Sequence, residues 1–177
     1  MDVETRRAGL SDSPAIAEIY NQGIESRQAT FETEPRDESA IRRWLLEHDQ
    51  RHPVLVAALG EAGEPGSSGP PVVGWASISV YRARSCYDGV GEFSVYVRDG
   101  YRGRGIGRAL LLALIEEAGR LGYWKLVSRV FDSNLPSRAL CKRCGFREVG
   151  TYEKHGRLDG RWLDTVIVER LIPENIV

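Results

Sequence analysis

Apolar and polar residues repeat with two different periods along the chain, and these periods predict its strands and helices. The segment GEFSVYV alternates residue by residue, with Phe93, Val95 and Val97 on one side, as in a strand. The stretch after it places apolar residues three or four positions apart, which predicts a helix packed against a sheet. Its apolar positions are Ile106, Leu110, Ala113, Leu114, Ala118 and Leu121.

The first half of the chain predicts one strand, two helices and two further strands. The strand VETRRA precedes a helix in SDSPAIAEIYNQGI, where Ser11 or Asp12 is the expected cap and Pro14 lies in the first turn. FETEPRDESAIRRWLLEHDQ is typical of a loop followed by a second helix. The apolar segments PVLVAALG and PPVVGWASISVY predict strands, and EAGEPGSSG between them has the composition of a flexible hairpin tip.

The second half adds the strand KLVSRVF, a helix, and the closing strands REVGTYEKHG and RWLDTVIVERL. The helix, in SNLPSRALCKRCGF, is expected to be capped by Ser133 or Asn134 and to end at Gly145. The predicted order is β-α-α-β-β-β-α-β-α-β-β, in a single α/β (α+β) domain over residues 1–177. Its sheet is expected to be mixed, mostly antiparallel and twisted, with about seven strands flanked by four helices.

Composition narrows the classes of function. Of the 177 residues 28% are charged and the net charge is −1, so the overall charge indicates no nucleic-acid partner. No segment approaches the roughly 18 apolar residues that a membrane helix needs. The segment MDVETRRAGL lacks the apolar stretch of a signal peptide, and the odd count of three cysteines fits a reducing compartment. These observations predict a cytoplasmic protein without a membrane partner.

The cysteines of CKRC, Cys141 and Cys144, have the spacing of a redox pair or of half a zinc site. A zinc site would need two more ligands, and the three histidines, at 48, 52 and 155, are scattered. The simpler interpretation is two thiols near the end of a helix. No metal is therefore expected.

The turn YRGRGIG, between the strand GEFSVYV and the long helix, is a candidate anion-binding site. Backbone N–H groups and the dipole at a helix start favour a phosphate, and glycines allow it to approach. Arg102, Arg104 and Arg108 add positive charge. The dinucleotide fingerprint G-x-G-x-x-G fails because its last position is Arg108, and the Gly-Lys-Ser/Thr of a Walker loop is absent.

The remaining pattern R-x-x-G-x-G, at Arg102, Gly105 and Gly107, resembles the pyrophosphate loop of the GCN5-related N-acetyltransferase (GNAT) superfamily. The segment NLPSRALCKRCGF is similar to a second motif of that superfamily, at the expected distance. The resemblance implies a GNAT fold, acetyl-coenzyme A as co-substrate, and a set of residues that bind it. That set is Val95, Tyr96, Val97, Arg102, Gly103, Arg104, Gly105, Ile106, Gly107, Arg108, Asn134 and Arg143. A plain helix cap is the alternative role of Asn134, and the two roles are compatible.

Four further segments resemble one branch of the superfamily, the phosphinothricin, methionine sulfoximine and arsinothricin N-acetyltransferases. They are IYNQGI, ATFETEP, GEFSVYVRDGYRGRGIG and GRLDGRWLD. The resemblance implies a small amino-acid-like acceptor, a role in resistance to antimetabolites, and a homodimer. YDGVGEFSVYV and GRLDGRWLD are most similar to the arsinothricin members, but this likeness does not rank the acceptors.

The same resemblance implies roles at the reaction centre. Glu92 matches the general base of the branch, which removes a proton from the acceptor amine. A backbone N–H in 95–97, assigned to Val97, polarises the thioester carbonyl. Many relatives place a tyrosine that reprotonates the thiolate where this chain has Cys141. Either the thiolate leaves unassisted or another donor serves, so the general acid is unassigned.

Four side chains are candidates for binding the acceptor. Arg82 and Arg84 have the two-residue spacing of one strand face and could meet anionic groups. A solvated strand end is their alternative interpretation. Phe31 and Tyr87 could form an apolar wall of the binding site.

Two other functions stay open at this point. One is acetyl transfer to a different amine, such as a peptide N-terminus or a polyamine. Only 8% aromatic residues, and no acidic groove visible in the sequence, disfavour the polyamine. The other is binding of acetyl-coenzyme A without catalysis, which the Cys141 substitution keeps open and Glu92 argues against.

Overall fold

The structure is a computed structural model that describes residues 3–60 and 70–176. Within these ranges seven strands and four α-helices follow the predicted order. They are β1 (Val3–Arg7), α1 (Ser13–Glu25), α2 (Glu38–Glu47), β2 (Val54–Leu59), β3 (Val72–Val80), β4 (Val90–Val97), α3 (Ile106–Arg120), β5 (Lys125–Phe131), α4 (Leu135–Arg143), β6 (Arg147–Leu158) and β7 (Arg161–Leu171). The hairpin tip expected in EAGEPGSSG lies outside the described residues, at 61–69.

The strands form one seven-stranded sheet in the order β1-β2-β3-β4-β5-β7-β6. Every pair of neighbours is antiparallel except β4 and β5, which run parallel on either side of the crossover helix α3. The predicted mixed, mostly antiparallel sheet is therefore confirmed. None of the helices in the described ranges is long and apolar enough to cross a membrane.

Helices cover the sheet from both sides and divide the core in two. On one face Ile16 and Ile19 of α1 and Ile41 of α2 pack with Val56 and Trp75 of the strands. On the opposite face Leu110 and Leu114 of α3 pack with Val73, Ile78 and Leu126 of the strands, and Cys141 of α4 belongs to the same cluster. The 3–4 spacing of α3 thus buries one continuous stripe against the sheet, as an amphipathic helix must.

The predicted helix ends differ in how they are capped. Asn134 caps α4, since its side-chain oxygen accepts a hydrogen bond from the Ser137 N–H at 3.2 Å, and Gly145 follows the helix with a φ of +83°. Asp12 occupies the N-cap position of α1, but its carboxylate makes no cap bond there.

The Asp12 carboxylate instead accepts hydrogen bonds from Arg6, at 2.7 and 2.8 Å, and from the Gly9 N–H at 2.7 Å. Burial acts to raise the pKa of Asp12, and these bonds outweigh it, so that its pKa lies below the ordinary value. Asp12 therefore ties β1 to the start of α1 rather than capping the helix.

The two parallel strands separate soon after they begin. β4 pairs with β5 only over residues 90–92 and 125–127. Beyond that point β4 stays paired with β3 as far as Val97, and β5 stays paired with β7 as far as Phe131. Because each strand follows a different neighbour, a gap opens between their carboxyl ends, where ligands of α/β sheets commonly bind.

Candidate active site

Three contiguous cavities follow the gap between β4 and β5. The first, here called the groove, has a volume of about 470 Å³ and lies beside the glycine turn, α4 and the end of α1. The second, here called the Glu92 cavity, has a volume of about 480 Å³ and lies beside Glu92 and the α1–α2 loop. A passage of about 100 Å³ joins them, sharing Val95 and Leu140 with the groove and Phe93 and Arg129 with the Glu92 cavity.

The backbone of β4 presents free polar groups to the groove. Arg98 donates its N–H to the carbonyl of Val73 at 2.9 Å, and β4 pairs antiparallel with β3. Since bonded positions alternate along such a ladder, the main-chain groups of Val95 and Val97 face the gap. The Val97 carbonyl indeed accepts a hydrogen bond from Arg102 Nε at 3.4 Å. The N–H groups of Val95 and Val97 therefore point toward the groove and the passage.

Tyr96 contributes differently from its two neighbours. It lines the groove, but it pairs with Trp75, and its main chain faces β3 by the same alternation. Its ring stacks on Trp75 at 4.7 Å and meets Tyr20 edge-on at 5.2 Å, on the α1 side of the sheet. Burial raises the pKa of Tyr96 well above its ordinary value. The phenol is thus a packing group beneath α1.

The glycines of the turn serve two different purposes. Gly103 and Gly105 have φ angles of +76° and +85°, a left-handed conformation that residues with a Cβ rarely adopt. Gly105 is also the N-cap of α3 and makes no side-chain cap bond, so no capping side chain occupies the first amides of the helix. Gly107 lies where an added Cβ would meet Leu140 at 3.1 Å, which allows α3 and α4 to approach closely.

Positive charge lines the groove from both helices. Arg102 and Arg108 line it at the glycine turn, and Arg143 lines it from α4. Two of the residues predicted to bind acetyl-coenzyme A do not reach the groove with their side chains. Ile106 is 1% exposed and packs in the core, and the Arg104 guanidinium lies over the Tyr101 ring, 5.4 Å from its centroid. Because α3 buries one stripe of side chains, position 106 can offer a ligand only its backbone.

The opposite wall of the groove comes from the end of α1 and the residues after it. Gly23, Ser26, Gln28 and Ala29 line this side, and the sequence analysis did not identify them. Asn134 connects the two walls, since its side-chain amide donates to the Gln28 carbonyl at 2.9 Å while its oxygen caps α4. No local pattern marks residues 23–29 as a binding wall; only the segment IYNQGI contains part of it.

Glu92 lies at the base of the second cavity, paired with an arginine from the next strand. Its carboxylate, 28% exposed, accepts a hydrogen bond from Arg129 Nη2. In the parallel ladder Glu92 lies opposite Val127, so Arg129, two residues further, projects from the same face of the sheet. Arg129 could not be identified from the sequence, because a single arginine in KLVSRVF has no partner nearby in the chain.

The walls of the Glu92 cavity combine hydroxyl and charged groups. Its floor contains Ser94, Ser128 and Thr165. Thr165 is 1% exposed, and its buried hydroxyl has no hydrogen-bond partner among the described residues. Glu32 and Glu34 of the α1–α2 loop line the rim. The cavity therefore has an acidic rim that the sequence did not reveal, because these glutamates lie some sixty positions before Glu92.

Of the four side chains predicted to contact the acceptor, one lines the Glu92 cavity and three do not. Phe31 lines the Glu92 cavity and packs edge-on against Phe131 at 4.7 Å. Arg82, Arg84 and Tyr87 lie in the β3–β4 connection and do not line this cavity. β3 ends near the start of β4, so the connection between them lies beyond the end of the strand ladder. The arginine that the fold brings to Glu92 is Arg129.

Cys141 lies beside the passage and is 3% exposed. Burial raises the pKa of the Cys141 thiol to about 12, and burial also raises the pKa of Cys144. Both therefore carry their protons at neutral pH. No group of three or more histidine, cysteine or acidic side chains with metal-binding geometry occurs within residues 3–60 and 70–176.

Comparison with known proteins gives consistent matches over nearly the full chain. The sequence model of the Acetyltransferase (GNAT) family matches residues 16–146. The chain is 36% identical over 170 residues to an L-methionine sulfoximine/L-methionine sulfone acetyltransferase of Pseudomonas aeruginosa, covering 96% of this chain and 94% of that protein. It is 33% identical to a phosphinothricin N-acetyltransferase of Streptomyces coelicolor, covering 96% of each chain.

A solved structure extends the likeness to the fold. The protein yncA of Salmonella typhimurium, determined with its cofactor acetyl-CoA, superimposes with a TM-score of 0.87 at 29% sequence identity. The superposition covers 97% of this chain and 94% of that one.

Proposed function

The chain belongs to the GNAT acetyltransferase family, within the phosphinothricin and methionine sulfoximine acetyltransferase branch, and we propose that it acetylates the primary amine of a small glutamate- or methionine-like antimetabolite. Phosphinothricin, methionine sulfoximine and arsinothricin are the proposed acceptors, and resistance is the proposed outcome. One observation carries this proposal: a continuous path leads from the amide-lined groove through the passage to a carboxylate.

The groove fits acetyl-coenzyme A, which would supply the acetyl thioester. The free N–H groups of Val95 and Val97 can pair with an amide-containing arm as an added strand would. The uncapped amides at the start of α3, the glycine turn, and Arg102, Arg108 and Arg143 suit a pyrophosphate and further phosphate. Asn134 lies where the groove joins the passage and suits the thiol end of the arm.

In the proposed transfer, Glu92 accepts the proton that the acceptor ammonium must lose before its nitrogen can attack. The C–N bond forms as the nitrogen attacks the thioester carbonyl. The Val97 N–H stabilises the negative charge that develops on the carbonyl oxygen. The C–S bond then breaks and the sulfur departs as a thiolate. The nitrogen gives its second proton to solvent as the amide forms, the thiolate takes a proton from solvent, and Glu92 returns its proton to solvent.

Cys141 does not suit the role of general acid. Burial raises its pKa from 9.0, the ordinary value of a cysteine thiol, to about 12. Transfer of its proton to a departing thiolate would therefore be uphill by about 4 kcal/mol. The buried position of Cys141 therefore argues against it as the donor, and unassisted departure of the thiolate is the alternative proposed here.

The acidic rim favours a second candidate, a polyamine acceptor. Glu32 and Glu34, together with Glu92, would attract a cation to the cavity. Both rim glutamates are exposed, however, and Glu32 lies 3.5 Å from Arg36, so solvent and a neighbouring cation screen this attraction. Arg129, the one arginine or lysine that lines this cavity within the described residues, opposes a cation, and the amino acid is therefore the first candidate. Arg82, Arg84 and Tyr87 would contact only an acceptor that extends toward the β3–β4 connection.

Release of free thiol from acetyl-coenzyme A by the purified protein tests the proposal. The acceptor panel would contain phosphinothricin, arsinothricin, methionine sulfoximine, glutamate, spermidine and a short peptide, each with wild type and Glu92→Gln. Turnover on one of the first three, lost in Glu92→Gln, is expected. Turnover on spermidine or the peptide alone would replace the proposed acceptor. Tight binding of acetyl-coenzyme A without any turnover would identify a binding module instead.

We also propose a cytoplasmic homodimer, as the resemblance to this branch implies. The three cysteines are free, as expected of a protein in a reducing compartment. The exposed apolar side chains Val149, Tyr152 and Trp162 on the β6–β7 hairpin support a subunit contact. Multi-angle light scattering of wild type and Trp162→Ser would test it, because a monomeric wild type would contradict the proposal.

A further inference from the structure

We propose that Arg129 recognises the α-carboxylate of the acceptor, so that the Glu92–Arg129 ion pair selects free α-amino acids. The inference rests on the proposed function and specifies how its acceptor is bound. It concerns a residue of β5 that lies outside the two acetyl-coenzyme A motifs.

The position of Arg129 suits recognition at the reacting end of the acceptor. It lines both the Glu92 cavity and the passage, so a group bound to it lies where the two meet. No other arginine or lysine lines the Glu92 cavity within the described residues. Its side chain is 47% exposed, which leaves part of the guanidinium accessible to a ligand.

The pair of Glu92 and Arg129 is complementary to the zwitterion of an α-amino acid. In such an acceptor the ammonium and the carboxylate are attached to one carbon atom. With the carboxylate on the Arg129 guanidinium, the ammonium would lie against Glu92, the proposed base. The Glu92–Arg129 ion pair would be replaced by two others, one between the acceptor carboxylate and Arg129 and one between the acceptor ammonium and Glu92. Neither side chain would be left with an unpaired charge. The planar guanidinium fork can hold a carboxylate by two parallel hydrogen bonds.

The same arrangement disfavours amines that lack a carboxylate. Such an amine leaves Arg129 bonded to Glu92, and the guanidinium then competes with the ammonium for the carboxylate oxygens. A peptide N-terminus presents a neutral amide at this position, and a polyamine presents only cations. The ion pair would thus oppose the attraction that the rim glutamates Glu32 and Glu34 exert on polyamines.

A purely structural role for Arg129, as a partner that holds Glu92 in place, makes a different prediction. In that case its removal would change transfer to every amine by the same factor. The ratio of kcat/KM between an amino acid and the same amine without the carboxylate separates the two roles, because effects on folding, on Glu92 and on acetyl-coenzyme A cancel in the ratio.

The experiment compares L-methionine sulfone with 3-(methylsulfonyl)propylamine, its analogue without the carboxylate, in wild type, Arg129→Gln and Arg129→Lys. The kcat/KM of wild type is expected to be higher for the amino acid by about 30-fold or more, because charged hydrogen bonds typically contribute a factor of this size. In Arg129→Gln this preference should fall to about threefold, and in Arg129→Lys to an intermediate value, because lysine keeps the charge but not the fork. The affinity for acetyl-coenzyme A should not change.

Arg147→Gln is the matched control, since Arg147 is an exposed arginine of the same sheet, paired with Glu169 and outside the three cavities. Its preference should equal that of wild type. An undiminished preference in Arg129→Gln, or a wild type without preference, would overturn the inference and leave the proposed function intact. If Arg129→Gln does not fold, Arg129→Lys provides the same comparison. A wild type that transfers to no acceptor would overturn the proposed function and this inference with it.

Discussion

The groove and the Glu92 cavity are built on opposite principles although they meet at one passage. The groove is lined by main-chain groups and glycines from β4 to the start of α3, by α4, and by the end of α1 with the residues that follow it. The Glu92 cavity consists of side chains from the α1–α2 loop, β4, β5, β6 and β7. A site made of backbone geometry tolerates variation in its side chains, whereas a site made of side chains changes specificity with single substitutions.

This difference predicts that changes on the two sides separate kinetically. Changes at the groove should alter the affinity for acetyl-coenzyme A, and changes at the Glu92 cavity should alter the turnover of the acceptor or its KM.

Removal of the proposed base should have the largest effect. Glu92→Gln keeps the size of the side chain but removes the carboxylate, so kcat/KM for the acceptor should fall by about 10²- to 10⁴-fold. The dissociation constant of acetyl-coenzyme A, measured by calorimetry, should stay within about twofold, because Glu92 does not line the groove. A loss of cofactor affinity as large as the loss of turnover would break the separation of the two sites.

On the groove side, Gly105→Ala should weaken acetyl-coenzyme A binding. The φ of +85° at this position costs an alanine about 1–2 kcal/mol, and the turn is expected to relax away from the geometry that presents the α3 amides. The dissociation constant should rise by about ten- to thirtyfold, with little change in acceptor KM. The control is Gly150→Ala on β6, where φ is ordinary and an added Cβ meets nothing within 4 Å.

On the acceptor side, Gly156→Ala is the counterpart of that substitution. An added Cβ would lie 2.6 Å from the Phe31 ring, so the ring and the α1–α2 loop that carries it must move. If neither the ring nor the loop moves, overpacking of this kind lowers the free energy of unfolding by about 1–3 kcal/mol. If the loop moves, the acceptor KM should rise by about fivefold. An unchanged acceptor KM together with a higher KM for acetyl-coenzyme A would contradict the assignment of Phe31 to the acceptor.

The smallest effect on turnover should come from Cys141, although it lines the passage. Since its thiol is not expected to donate a proton, Cys141→Ala should change kcat by less than about twofold. A tenfold or greater loss of kcat would instead indicate that Cys141 is the general acid.

Cys141→Ala should also change how the free energy of unfolding depends on pH in the alkaline range. The pKa of Cys141 is raised from 9.0 to about 12 by burial, so between these values the unfolded chain loses a proton that the folded protein retains. Rising pH then favours unfolding, and wild type should lose roughly 1 kcal/mol of unfolding free energy at about pH 10 from this group. Urea denaturation at about pH 8 and about pH 10 should show a smaller decrease for Cys141→Ala.

The order of elements and the groove could be predicted from the sequence because their signals are local. The alternation in GEFSVYV and the 3–4 spacing after Ile106 reflect how each element faces the sheet. The glycine turn needs its left-handed backbone angles wherever the rest of the chain lies. Ser133 or Asn134 was expected as the cap of α4, and the side chain of Asn134 makes that bond.

The Glu92 cavity could be predicted only in part, since its neighbours come together through sheet pairing. The resemblance implied Glu92, and Phe31 was predicted as an apolar wall for the acceptor, but the sequence pointed to Arg82 and Arg84 and gave no sign of Arg129. The parallel register of β4 and β5 brings Arg129 to Glu92 across 37 positions of the chain. The acidic rim and the wall at 23–29 were missed for the same reason.

The sequence by itself determined the order of strands and helices, the glycine turn at the start of α3, and the family to which the chain belongs. These depend on the backbone preferences and side-chain periodicity of single segments. Only the tertiary structure decided which charges meet at Glu92, which side chains the Cys141 thiol is buried among, and how the cavities connect. Those properties depend on which strands pair and where they separate, and a long-range register is set by the packing of the whole sheet.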